Sequence, residues 1–134
     1  MARKLKELPI YARVMEFCAA VSAILDKPGL RRNRKLRAQI EEANDSISSN
    51  MEEGFEQGTD RAFANYLTYS KASLAEVLAR LRSAANKKYI TPEELAARET
   101  MGEELGRMLG GFIKYLRRCD WRDRGRFRSP PEPQ

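Results

Sequence analysis

Apolar side chains recur along this chain at steps of three and four, the spacing that puts them on one face of a helix. From Leu8 to Leu25 the face is made by Ile10, Val14, Phe17, Val21 and Ile24, and Pro28 with Gly29 closes the segment. A second run takes Leu36, Ile40, Ala43, Ile47, Met51 and Phe55 as far as Gly58, where Thr59 or Asp60 can cap the next helix. The third predicted helix carries Phe63, Tyr66, Leu67, Ser70, Leu74, Val77, Leu78, Leu81 and Ala85, and stops at Asn86.

The next start is written in TPEE, from Thr91 to Glu94. Thr at the N-cap, Pro at the first helical position and Glu at the third make a capping box. The fourth helix then runs through Leu95, Met101, Leu105, Met108, Leu109, Phe112, Ile113 and Leu116. No segment alternates with period two, so no strand is expected. Four long helices with short links predict an all-α protein, an antiparallel up-down-up-down four-helix bundle. The bundle domain spans residues 1–118, and the Arg- and Pro-rich residues 119–134 form a flexible basic tail.

Composition narrows the chemistry. The 134 residues suffice for a single core without staples, and 33% of them are charged. No run reaches the roughly 18 apolar residues a membrane span needs, and the start lacks a signal-peptide pattern, so a cytoplasmic location is expected. Cys18 and Cys119 are too far apart in sequence to suggest a zinc site or disulfide framework. The chain contains no histidine, the commonest general base and metal ligand. Neither a phosphate-cradling loop nor a nucleophile elbow is present. The expectation is a non-enzyme with no cofactor and no metal; the glutamates Glu52, Glu53 and Glu56 read as a solvated face, and a metal-free enzyme built on the carboxylates around Glu53 is the weaker alternative.

The formal charge of +6 points to an anionic partner. Arg31, Arg32, Arg34, Lys35 and Arg37 cluster at the entry to the second helix, where cations oppose the macrodipole. In the expected topology Lys87 and Lys88 lie at the same end, giving a basic pole. Two readings stay open there: an anion site, or a solubilising surface. In the tail, Arg117, Arg118, Arg122, Arg124, Arg126 and Arg128 alternate with Trp121 and Phe127, a pattern that suits phosphates and unpaired bases, although the simpler reading is a soluble end. Gly102, Gly106 and Gly110, followed by Gly111, form a ridge on the fourth helix that would let another backbone approach, from the same bundle or from a second subunit.

The segment SISSNMEEGFEQGTDR, from Ser46 to Arg61, is unusual for a core helix. Ser46, Asn50 and Gly54 share one face beside the apolar stripe. Asn50 would be partly buried and need partners such as Ser70 or Ser73, while Gly54 would admit a crossing helix. The segment therefore reads as a packing and registry device.

QIEEANDSISSNMEEGF from Gln39, FANYLTYSKASLAEVLARL from Phe63 and KKYITPEEL from Lys87 together resemble the four-helix-bundle family encoded in intervening sequences of bacterial 23S ribosomal RNA genes. The family's serine-isoleucine pair, asparagine and glutamate-glycine match Ser46, Ile47, Asn50, Glu53 and Gly54. Its later small-Ser-Leu-x-Glu element matches Ala72, Ser73, Leu74 and Glu76. Glu41 and Glu42 stand where the family often has arginines, so any anion site moves to the Arg31 to Arg37 cluster. EELGRMLGGFIKYL is similar to the accessory variability protein of diversity-generating retroelements. These resemblances imply an up-down bundle that assembles into a homopentamer; with the basic poles, the expectation is a scaffold that binds RNA or DNA, the alternative being an adaptor that docks a partner such as a reverse transcriptase.

Overall fold

The computed structural model describes the backbone of residues 4–123 and the side chains of residues 4–119. Among the described residues every regular element is helical. A short 3-10 turn, Leu5–Glu7, leads into α1, Pro9–Ser22. Then follow α2, Pro28–Arg32; α3, Arg34–Glu56; α4, Asp60–Asn86; and α5, Pro92–Asp123.

The long helices are those the hydrophobic spacing predicts. Val14, Phe17 and Val21 of α1, Ile40, Ile47 and Met51 of α3, Leu67, Val77 and Leu81 of α4, and Leu109 and Leu116 of α5 are each fully buried in one core. Successive contacts across each pair of neighbours run in reverse order along the chain. Ile47 meets Ser70 while Gly54 meets Tyr66; Gly102 faces Leu78 while Gly110 faces Lys71; Arg13 meets Glu104 while Arg98 meets Ala20. These are the contacts of helices that run in opposite directions, and they close the ring α1, α3, α4, α5.

The link between α1 and α3 differs from expectation. Pro28 does not end a helix but begins one, because its fixed φ and missing N–H suit the first helical position. Five residues are too few to show a periodicity, yet α2 buries Leu30 completely. Asn33 then starts α3, its Oδ1 accepting from the backbone N–H of Leu36 at 3.1 Å. Thr59, rather than Asp60, caps α4 by accepting from Ala62 N–H at 3.2 Å. α5 also continues beyond the last periodic residue, to Asp123, with Cys119 buried, so the first residues assigned to the tail are helical.

The capping box at Thr91 forms reciprocally: Thr91 Oγ1 accepts from Glu94 N–H at 3.0 Å, and Thr91 N–H donates to Glu94 Oε1 at 2.8 Å. Lys27 donates to the same carboxylate oxygen. The bond from Lys27, then that from Thr91, holds the Glu94 carboxyl below its ordinary value of 4.5. A lowered carboxyl pKa adds stability that is complete above the unfolded value and disappears as pH falls through the folded one. Glu94→Gln is therefore expected to cost about 1 kcal/mol near neutral pH, the scale of a cap plus a partly exposed ion pair. Melting wild type and variant across pH should show that gap closing below pH 4.5; a gap independent of pH would refute the assignment.

α4 ends in a Schellman motif. Tyr89 N–H donates to Ala84 O and Lys88 N–H to Ala85 O, both at 2.9 Å, with Lys88 in the left-handed region at φ 64°. Glycine takes this conformation without Cβ strain, so Lys88→Gly should raise stability by about 0.5 to 1 kcal/mol in thermal denaturation. An unchanged or lowered midpoint would show that Lys88 has a compensating contact.

Candidate nucleic-acid interface

The two loops at one end of the bundle are fastened to each other. A Cβ on Gly29 would stand 2.2 Å from Tyr89 Cδ1, so the Tyr89 ring lies directly on the backbone of α2. Asn33 Nδ2 donates to the Tyr89 hydroxyl at 3.4 Å, and Lys27 pairs with Glu94 nearby. These contacts bring the turn holding Lys87 and Lys88 beside the segment from Arg31 to Arg37.

Within that segment the five cations are not equivalent. Arg31 and Arg32 fall in the last turn of α2, where the macrodipole favours positive charge, not in a first turn as the sequence reading has it. Arg34 and Lys35 do occupy the first turn of α3 and oppose its dipole. All four side chains are exposed, as are Lys87 and Lys88, and none takes part in the ion pairs among the described residues. Arg37 is different. Its Nε donates to Leu25 O at 3.2 Å, its Nη2 reaches Asp26 at 3.2 Å and its Nη1 reaches Glu41 at 3.5 Å. It is a strut that ties the end of the α1 loop to α3, and its charge is compensated.

Arg31, Arg34 and Arg37 line an open concavity of about 430 Å3 with Asp26, Ala38 and Glu41. Both carboxylates pair with Arg37, so Arg31 and Arg34 are its cations outside any ion pair, and the lining carries a net charge of +1. Such a surface can hold phosphate oxygens through forked guanidinium donors. The side chain of Arg122, and Arg124, Arg126 and Arg128 entirely, lie outside the described residues.

The Ser46 to Gly54 motif makes a seam between α3 and α4. Gly54 is buried, and a Cβ there would lie 2.5 Å from Tyr66 Cβ and 3.2 Å from Phe63 Cδ1. Ile47 contributes its carbonyl, which accepts from the buried Ser70 hydroxyl at 2.8 Å. Half-buried Asn50 donates to Ser46 O of its own helix at 2.9 Å, not to a serine across the bundle. The cross-bundle amide is instead Asn44, 2% exposed, whose Nδ2 donates to Cys18 O at 3.0 Å. Its position between Ile40 and Ile47 on the apolar stripe was the available signal. Beside it, burial and then the charge of Asp45 push the Cys18 thiol up to about 11, which makes it a poor nucleophile.

Glu53 is exposed and accepts from Gln57 at 3.3 Å. Ser73 is half-buried and Glu76 exposed, and because α4 has Tyr66 beside Gly54 and Ser70 beside Ile47, both lie further along the seam from Glu53. Among the described residues no cluster of His, Cys, Asp and Glu could hold a metal, and no helix is long and apolar enough to cross a membrane.

The glycine ridge divides. Gly102 is packed under Leu78, whose methyl carbons lie 2.9 Å from where its Cβ would be. Gly106 has ordinary room beneath Leu74 at 3.8 Å, Gly110 meets only the tip of Lys71, and Gly111 meets nothing. The ridge is thus intramolecular at Gly102 and open at Gly106 and Gly110. Lys71, Arg107 and Lys114 rim that opening, a grouping the sequence analysis does not contain because Lys71 comes from another helix.

Fold and surface define a small, basic bundle, helical throughout its described residues, with a charged end. The chain belongs to the 23S rRNA-intervening sequence protein family, whose sequence profile matches residues 6–111. Its fold is similar to a crystal structure from Bacteroides thetaiotaomicron of a protein of unknown function from the S23 ribosomal protein family. The TM-score is 0.70 at 21% identity, over 78% of this chain and 98% of that one. No curated protein matches the chain at significant similarity.

Proposed function

We propose that this protein is a non-enzymatic cytoplasmic scaffold that self-associates and binds structured RNA or DNA through phosphates. The observation that carries this reading is the end of the bundle where Arg31, Arg32, Arg34, Lys35, Lys87 and Lys88 are exposed together without carboxylate partners. Such a surface grips a phosphate backbone, and contacts of that kind fix position rather than sequence. The homopentamer implied by resemblance would place several such ends on one particle and raise avidity.

The test is a salt titration of binding to an RNA hairpin and a duplex DNA, using nuclease-treated protein whose solution mass is recorded in the same buffers. Binding that falls steeply with salt, with little preference between sequences, is the expected result. Absence of binding at low salt would overturn the reading and favour an adaptor that docks an acidic protein such as a reverse transcriptase.

A further inference from the structure

Three glycines of α5 have no explanation inside the bundle. Alanine at Gly106, Gly110 or Gly111 would meet at most a contact at ordinary van der Waals distance or the flexible tip of Lys71. Each glycine nevertheless weakens a helix interior relative to alanine. They floor an open groove of about 630 Å3 between α4 and α5. Lys71, Arg107 and Lys114 rim it, and none of the three takes part in the ion pairs among the described residues.

The charge continues along the helix. Arg107, Gly111, Lys114 and Arg118 follow one another at steps of four, three and four, so they share a face that extends about 16 Å at 1.5 Å per residue. From Leu105 to Cys119 the sequence contains no carboxylate at all. Glu103 sits at one end of the groove, towards the basic pole, and marks where the stripe stops. The macrodipole does not account for the stripe, because its effect is confined to the last turn and α5 runs on to Asp123. An uninterrupted row of cations over a floor without side chains suits a polyanion lying close against the helix backbone.

We infer that the groove between α4 and α5, rimmed by Lys71, Arg107 and Lys114, is a second phosphate-binding surface for the same structured nucleic acid. The inference rests on the proposed function. The stripe begins 15 residues beyond the start of α5 at Pro92, about 22 Å along the helix from the pole. One subunit then holds two separate stretches of phosphate backbone, which is what a scaffold needs and a single-site binder lacks.

Two variants test this against the same RNA hairpin by fluorescence anisotropy over a range of salt. Lys71→Gln/Arg107→Gln/Lys114→Gln removes the rim, and is expected to reduce the slope of log affinity against log salt by about two to three units, roughly one for each lost phosphate contact. Gly111→Glu puts a carboxylate on the floor where nothing obstructs it. It should leave the melting temperature equal or higher while weakening RNA binding about tenfold, a separation that misfolding cannot imitate. Lys4→Gln/Lys6→Gln/Arg80→Gln, which removes three cations elsewhere on the bundle, serves as the control.

Slopes that match wild type in the rim variant would overturn the inference while leaving the pole and the proposed function standing. An equal loss in the control would overturn it too, by reducing the effect to net charge. A changed solution mass in the rim variant, with RNA binding per subunit unaltered, would assign the groove to a second copy instead. If the wild type binds neither RNA nor DNA, the inference falls together with the function.

Discussion

Gly54→Ala is expected to destabilise the bundle by about 2 kcal/mol, lowering the melting temperature by roughly 5 to 10 °C for a domain of this size. Two effects compete. Alanine is the better helix former by about 0.5 to 1 kcal/mol, and on propensity alone the variant would be the more stable. Against this stands a Cβ placed 2.5 Å from Tyr66 Cβ. That atom is fixed to the α4 backbone, so no side-chain rotation relieves the overlap and the two helices must separate. Separation would loosen the Ser70 to Ile47 hydrogen bond and the edge-on contact of Phe55 with Phe63, whose centroids are 5.7 Å apart. Overpacking of this kind typically costs about 1 to 3 kcal/mol, which outweighs the propensity gain.

Gly106→Ala supplies the matched comparison. It receives the same propensity gain, but its Cβ would meet Leu74 at an ordinary 3.8 Å. It should therefore stabilise by about 0.5 to 1 kcal/mol. Both variants are to be melted at one protein concentration, because self-association would couple stability to concentration. Gly54→Ala as stable as wild type would mean that α3 and α4 are not held as close as this geometry places them.

The contrast between those two glycines also shows which parts of the molecule the sequence could disclose. Helix faces were legible because burial has a period: Ile40, Ile47 and Met51 announce themselves by spacing, and so did the Thr91 capping box. Gly102, Gly106 and Gly110 have identical spacing, yet only the first is packed tightly. What separates them is the opposing residue on α4, and no period carries that information. α2 was missed for a related reason, since Pro28 signals a helix start as well as a stop. The basic pole was visible as composition. That Arg37 belongs to the framework was not, because its acceptors Leu25 O and Asp26 are placed by the loop after α1.

That division of the arginines determines the second expected result, obtained from Arg31→Glu, Arg32→Glu, Arg34→Glu and Lys35→Glu combined. All four side chains are exposed and outside the ion pairs of the described residues, so stability should change little. Arg37 is left in place, because removing it would cut the tie from α3 to Leu25 O and Asp26 and confuse a folding defect with a binding one. Each cation that engages a phosphate of a duplex contributes about 0.9 to the salt slope. Four such contacts amount to a slope of about 3.6, worth on the order of a thousandfold in affinity at about 0.15 M salt. Reversal adds repulsion to that loss, since each substitution lowers the formal charge by two and the set turns +6 negative. Duplex binding by the variant should thus fall at least a hundredfold at physiological salt, with a visibly shallower slope. A uniform loss across unrelated sequences is part of the expectation, because phosphate contacts position without specifying. Should affinity and slope instead survive the four reversals, the segment from Arg31 to Lys35 would be excluded from the interface. The cations left untouched would then have to hold the nucleic acid, and adding the Lys71, Arg107 and Lys114 substitutions to the same variant would show whether the groove is the primary site rather than the second.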